Sequence, residues 1–324
     1  MAEAPSKPDA EAGASGMSSP PTGGGKPRPP ERFSGAPEVV RGIYLSFWSA
    51  ALRGRVDGLI DLAREGAANA VAVDLKDIQG RVGFDTRVAE AIAFRARNPI
   101  IRDLRSLVSR LQEAGLYVIA RIVVFTDPEL ARARPELAVH SKSKLARDGA
   151  GLSAATLWAD SRNLNWDHPG AKPVWDYNIA IARDALSAGV DEVNFDYIRI
   201  PSEGDLRDMH FPVSGGRASR REVIRGFFEY LRGQLPDVRR SADLFGLVTV
   251  SRDDLGIGQV IEDAYTYFDY VCPMVYLSHF AAGFRGFANP AEHPYDVVRH
   301  SMSAARERWL AHAASLSSRS RLRP

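Results

Sequence analysis

The 324-residue chain is 45% hydrophobic, 25% charged and 9% aromatic, an ordinary globular composition long enough for one large domain or two small ones. No apolar run reaches the roughly 18 residues of a transmembrane helix, so no membrane span is expected. Forty-two basic against 40 acidic residues give a net charge of +2, too balanced to argue for nucleic acid, and the single cysteine, Cys272, excludes an internal disulfide framework and a cysteine-based zinc cluster.

Residues 1–37 are rich in Pro, Gly, Ser and Ala, and Met1, Met17 and Phe33 are their only large apolar residues. Such a segment cannot bury enough surface to offset its ordering entropy, so a disordered tail is expected; it also lacks the apolar stretch of a secretory signal. From Val39 onward, short apolar runs alternate with helical periodicity. Gly42–Trp48 reads as a first strand. Val56, Leu59, Ile60 and Ala63 follow helical spacing, and Asn69–Leu75 is a near-continuous apolar strand. Asn98-Pro99 opens a helix with Ile101, Leu104, Val108 and Leu111 on one face and Gly115 as its stop. Leu116–Phe125 is a third strand. Val174, Tyr177, Ile181 and Ala185 make a helix ended by Gly189, and Val190–Ile200 is a fourth strand stopped by Pro201. Ser219 and Glu222 form a capping box before Val223, Ile224, Phe227, Phe228 and Leu231. Arg240–Val250 holds a fifth strand, Ile257–Phe268 a helix and Asp269–Tyr276 a sixth strand. A last helix runs from Pro294 to about Leu310.

This β/α alternation predicts a parallel sheet. The strands are apolar on both faces until their C-terminal ends, where Asp74, Asp196 and Asp243 appear. That arrangement predicts an α/β TIM (β/α)8-type barrel, with an open doubly wound sheet as the alternative. About six β/α units are present where a closed barrel needs eight. Long loops near 127–170, 201–218 and 277–293 use much of the length, and loops of that size are usually functional or disordered. The barrel domain is assigned to 38–310, and 311–324 to a disordered Ser/Arg-rich tail.

Strand alternation puts Asn194 and Asp196 on one face and Phe195 on the other. Asp196 then points into the barrel mouth, with Arg199 and Lys76 as candidate partners. Ser241 and Asp243 share a face of the fifth strand, and Asp74 and Lys76 a face of the second. Three carboxylates from three strand ends form the set that glycoside hydrolysis needs, one to protonate the leaving oxygen and one to act as nucleophile or base. An Asp–Arg pair of purely structural value is the plainer alternative for any one of them. Trp48 and Trp166 offer flat rings of the kind that bind the apolar faces of sugars, although core packing is the commoner use of a single ring. His279, His293 and His300 fit no zinc spacing, so no metal is expected. No G-x-G-x-x-G follows the first strand and no serine sits in a nucleophile elbow, which disfavours dinucleotide binding and an α/β-hydrolase.

The ordered stretches GIYLS, AVAVDLKD, ARIVVFTDPELARARPELAV, VWDYNIAIA, VNFDYIRIPSEG, SADLFGLVT, DDLGIGQ, CPMVYLSHF and NPAEHPYDVV resemble a bacterial family of glycoside-hydrolase-like TIM barrels, distantly similar to the α-amylase superfamily, over about residues 40–300. The resemblance implies a nucleophile at Asp196 and a general acid/base at Asp243, an Asp where many relatives use Glu. By placement it implies substrate contacts at Asp74, Arg121, Arg199, Tyr276 and His279. It implies a carbohydrate substrate and no cofactor, and a glycan substrate favours an exported protein. Members of that family continue into a seventh and an eighth strand, of which the sequence shows neither. Unpaired first and sixth strands are expected to leave the chain weakly stable and weakly active. A non-catalytic carbohydrate-binding barrel and an inactive gene fragment are the competing readings.

Overall fold

A computed structural model describes residues 35–149, 151–213, 218–315 and 321–322; most of the expected N-terminal tail lies outside the described residues. The chain opens with β1 (Gly42–Leu45), two helices α1 (Phe47–Ala50) and α2 (Arg53–Arg64), and β2 (Ala70–Lys76). An excursion follows, made of β3 (Val82–Phe84), α3 (Ala89–Ala93) and β4 (Arg97–Ile101), before α4 (Leu104–Glu113) and β5 (Tyr117–Val123). A second excursion holds α5 (Pro128–Ala133), β6 (His140–Ser141) and α6 (Lys142–Asp148). Then come α7 (Lys172–Ser187), β7 (Glu192–Asp196), β8 (Met209–His210), α8 (Arg220–Gln234), β9 (Arg240–Phe245), α9 (Ile261–Tyr267), β10 (Tyr270–Met274), α10 (Pro294–Ser315) and β11 (Arg321–Leu322).

The strands β1, β2, β5, β7, β9, β10 and β11 lie side by side in that order, each parallel to its neighbour. Every crossover adds its strand to the same edge. A doubly wound sheet reverses direction at a switch point, so this order is that of a TIM-type α/β barrel. No ladder joins β11 to β1 among the described residues. Outward-facing Val71, Val73, Val118, Ile122, Val193, Phe195, Ala242 and Leu244 are buried in one core with Ile60, Leu111, Ile181 and Phe227 of the surrounding helices. Burial of one such side chain contributes about 1.5–3 kcal/mol, which is why these strands are apolar on the face away from the barrel axis.

Several expectations are corrected. Arg97–Ile101 does not open a helix. It is a strand beside β3, Pro99 included, and the helix starts later, where Asp103 accepts a hydrogen bond from Ser106 N at 2.9 Å. Trp48 leaves the first strand for α1, because Ser46 accepts from Ser49 N at 3.2 Å and starts a helical turn there. The fourth strand ends at Asp196, since Tyr197 adopts a φ of 55° and turns the chain out of the sheet. The loops 127–170 and 201–218 are not featureless: β6 and β8 pair antiparallel and join them. The last helix runs to Ser315, and Arg321–Leu322 supplies a seventh parallel strand that the sequence did not show.

Lys76 does not share a face with Asp74. The ladder between β2 and β5 pairs Asp74 with Arg121 but Lys76 with Ile122, so β2 carries one extra residue there. The bulge leaves Asp74 facing the barrel axis and sends Lys76 into the layer between sheet and helices, where it is fully buried.

The first excursion is fitted to the barrel as tightly as the core itself. A Cβ on Gly83 of β3 would lie 2.2 Å from the Phe47 ring of α1. Gly83→Ala is therefore expected to destabilise the fold by about 1–3 kcal/mol through overpacking, and an unchanged melting temperature would contradict it.

Candidate active site

Side chains facing the barrel axis line a cavity of about 610 Å3. Its inner end is covered by the segment Ala36–Val40, and its outer end carries Arg121, Asp196, Asp243 and Tyr276. Register sets these side chains in rows. Tyr44, Ala72, Ile119 and Glu192 are successive partners across four strands, and Asp74, Arg121, Asn194, Ser241 and Tyr270 across five.

Arg121 is the hub. Its guanidinium bonds Asp74 on one neighbouring strand and Asp196 on the other, and its Nε lies 3.7 Å from Asp243 Oδ2. Burial works against the charge of Arg121, but Asp196, Asp74 and Asp243 outweigh it and raise its affinity for the proton. Asp196 takes this partner rather than Arg199 or Lys76. Its second oxygen accepts from Tyr197 N at 2.6 Å, so the left-handed turn that ends β7 also orients the carboxylate. Asp74 accepts in addition from Tyr44 OH at 2.5 Å.

Asp243 differs from its neighbours. Burial, then the nearby Asp196 carboxylate, push its pKa up from 3.8 to about 7, against the opposing pull of the Asn194 amide and Arg121. At neutral pH it is poised between acid and base, while Asp196, on the adjacent strand, is paired with a guanidinium. Two carboxyls in such unlike environments can divide the labour of acid and nucleophile.

The chain matches, over residues 42–324, the family described as "Putative glycosyl hydrolase domain". It belongs to this family. A hypothetical protein from Ruminiclostridium thermocellum ATCC 27405 is 33% identical, over 66% of this chain and 98% of its own, with a TM-score of 0.54. An α-galactosidase from Thermus thermophilus is 14% identical over 73% of this chain and 41% of its own (TM-score 0.43). An α-L-fucosidase isoenzyme from Paenibacillus thiaminolyticus is 14% identical over 70% and 35%, with a TM-score of 0.46. No curated protein matches. The chain thus carries a glycosyl hydrolase-like domain, and none of its helices, among the described residues, is long and apolar enough to cross a membrane.

In this glycosyl hydrolase-like domain, the structure brings Asp74, Arg121, Asp196, Asp243 and Tyr276 together, and His279 stands just behind, 5.4 Å from the Tyr276 ring and 5.7 Å from that of Phe245. It does not bring Trp166, Arg199 or Trp48 to the cavity. Trp166 is buried, donates to Asp160 and lies under the Arg199 guanidinium, 5.1 Å from its ring. Arg199 donates to Ser202 Oγ at 2.8 Å and faces Glu203. Both serve the folding of the loops around β7, a demand that composition and strand order do not reveal. Trp48 lies half exposed on α1 against Phe47. Glu192, Asn194, Ser241 and Tyr44 also line the cavity; the sequence sets Asn194 and Ser241 on the faces of Asp196 and Asp243 but gives Glu192 no part. Stepping back by two from Asp196 and Asp243 finds the first three, because side chains alternate along a strand.

Proposed function

We propose that this cavity hydrolyses glycosidic bonds by a retaining, two-carboxylate mechanism. Asp243 gives its proton to the glycosidic oxygen as that bond breaks, and Asp196 attacks the anomeric carbon to form a glycosyl ester. Asp243, now a carboxylate, takes a proton from water; the resulting hydroxide displaces Asp196 and leaves the second sugar with its hydroxyl restored. Arg121 keeps Asp196 aimed across the cavity and balances charge as the ester forms and breaks. Asp74, Tyr44 and Tyr276 are placed to hold sugar hydroxyls and a ring face. The observation that carries this reading is the meeting of Asp196 and Asp243 on Arg121, with the Asp243 carboxyl raised to about 7.

A panel of poly- and oligosaccharides and aryl glycosides, followed by reducing-sugar release and by proton NMR of the first anomer formed, tests it. Hydrolysis with retention, lost by a factor of about 10^3 or more in Asp196→Asn with the melting curve preserved, is expected. Glycan binding without hydrolysis, unaffected by Asp196→Asn, would instead identify a carbohydrate-binding barrel, and an inverted first product would make Asp196 a base rather than a nucleophile.

A further inference from the structure

Below the two carboxyls, a chain of hydrogen bonds runs between β7 and β9. Glu192 is fully buried, and its Oε1 accepts from Ser241 Oγ at 2.5 Å while its Oε2 accepts from Tyr117 OH at 3.0 Å. Asn194 Nδ2 donates both to Ser241 Oγ, at 3.1 Å, and to Asp243 Oδ1, at 2.9 Å. The Oδ1 of Asn194, itself a buried residue, has no hydrogen-bond partner.

The direction of this chain is fixed from its buried end. Ser241 gives its one hydroxyl proton to Glu192 Oε1. Towards Asn194 the same oxygen then can only accept. Asn194 must therefore present its amino group rather than its carbonyl, although this leaves the carbonyl oxygen unpaired at a cost of about 1–3 kcal/mol. The second amino proton points at Asp243 Oδ1, which becomes an acceptor. A proton on Asp243 is left with Oδ2, which lies 3.7 Å from Arg121 Nε, beyond hydrogen-bond reach.

We propose that Asn194, its amide turned by Ser241 and the buried Glu192, is a positioning residue for Asp243 that confines the transferable proton to the Oδ2 oxygen. The catalytic meaning of this rests on the glycosidase reading; the hydrogen-bond direction does not. The groups facing Asp243 are Asp196, Asn194 and Glu192 from β7, Arg121 from β5, Cys272 opposite it on β10, and Tyr276 beyond that strand. Of these, Asn194 and Arg121 favour the charged carboxylate, and Asp196 and Glu192 oppose it.

Carboxyl 13C NMR of the whole chain, with the Asp243 resonance assigned through Asp243→Asn, reads the effect without any substrate. Asn194→Ala removes the donor and is expected to raise the Asp243 midpoint by about 0.5–1 pH unit; Asn194→Asp, isosteric but placing an acceptor there, is expected to raise it further. A midpoint that stays put or falls in either variant overturns the proposal. Glu192→Gln tests the direction of the chain, because the new amide can donate to Ser241 and free that hydroxyl to turn Asn194 round. It is expected to lose about tenfold or more in kcat on glycosides with poor leaving groups and little on dinitrophenyl glycosides, which need no acid. Equal loss on both, or none, overturns the assigned direction. Midpoints that move as stated in a protein that cleaves no glycan leave the inference standing and remove the glycosidase reading.

Discussion

Asp243→Asn is expected to make the protein more stable and less active at once, and the gain in stability should depend on pH. In the folded chain the Asp243 carboxyl is raised from 3.8 to about 7, by burial first and by Asp196 second. The native state therefore holds this proton more tightly than the unfolded state. That contribution is fully present below about pH 4 and is lost as pH rises through 7. Above neutrality a carboxylate must be kept ionised in a poor environment, at a cost on the order of 4 kcal/mol. An amide of the same shape never ionises, and its oxygen can still accept from Asn194. Melting temperatures of the two proteins should thus coincide near pH 4 and separate near pH 8, with the variant higher. In the same variant kcat/KM for glycosides with poor leaving groups should fall by about 10^2–10^4, while in the native protein its alkaline limb should fall near pH 7. A stability gain of equal size at both pH values would show that the substitution acts through packing rather than through the proton.

The trade between stability and chemistry also explains what was legible in the sequence. The parallel order of strands follows from apolar runs separated by helical periodicity, and both are written residue by residue in NAVAVDL or LYVIARIVVF. The convergence of Asp74, Asp196 and Asp243 follows from the same pattern, because each is an acid in the C-terminal half of a strand. Arg121 came from the resemblance rather than from the pattern, yet it lies at the same level of its strand. What could not be read was whatever depends on one residue more or less. The extra residue in β2 turns Lys76 away from Asp74, and no apolar period records a single insertion. Tyr197 in a left-handed turn closes β7 early, although VDEVNFDYIRI reads as an unbroken strand; its strain, about 1–2 kcal/mol, is offset only by tertiary contacts. Arg199 and Trp166 stand away from the cavity for a related reason. They pair with each other across two loops, and loop-to-loop pairing leaves no periodic trace.

Lys76→Met is expected to be the most damaging single substitution away from the cavity, costing about 3–5 kcal/mol. The Nζ of this buried side chain lies 2.8 Å from Asp127 Oδ2, donates to Val123 O at 2.7 Å and to Asn178 Oδ1 at 3.0 Å, and so ties β2, β5, α5 and α7 together. Asp127 in turn caps α5 through Leu130 N at 2.9 Å. Close by, Asp167 is fully buried with neither oxygen hydrogen-bonded, and burial followed by repulsion from Asp127 drives its pKa well above the usual carboxylate range. The cluster therefore sets one basic side chain, Lys76, beside two buried acids, Asp127 and Asp167. Methionine keeps the volume of Lys76 but removes the cation, leaving Asp127 as an uncompensated buried carboxylate beside a second acid. Lys76→Met combined with Asp127→Asn removes both charges and keeps a side chain that can cap α5, so it should recover about half or more of the loss. Chemical denaturation of the two single variants and the double variant measures the coupling. A double variant as unstable as the sum of its parts would mean that Lys76 acts through its hydrogen bonds to Val123 and Asn178 and not through its charge. In either case the effect reaches the cavity, because Val123 is the register partner of Asp196: loosening the end of β5 moves Arg121 and the carboxylate it holds.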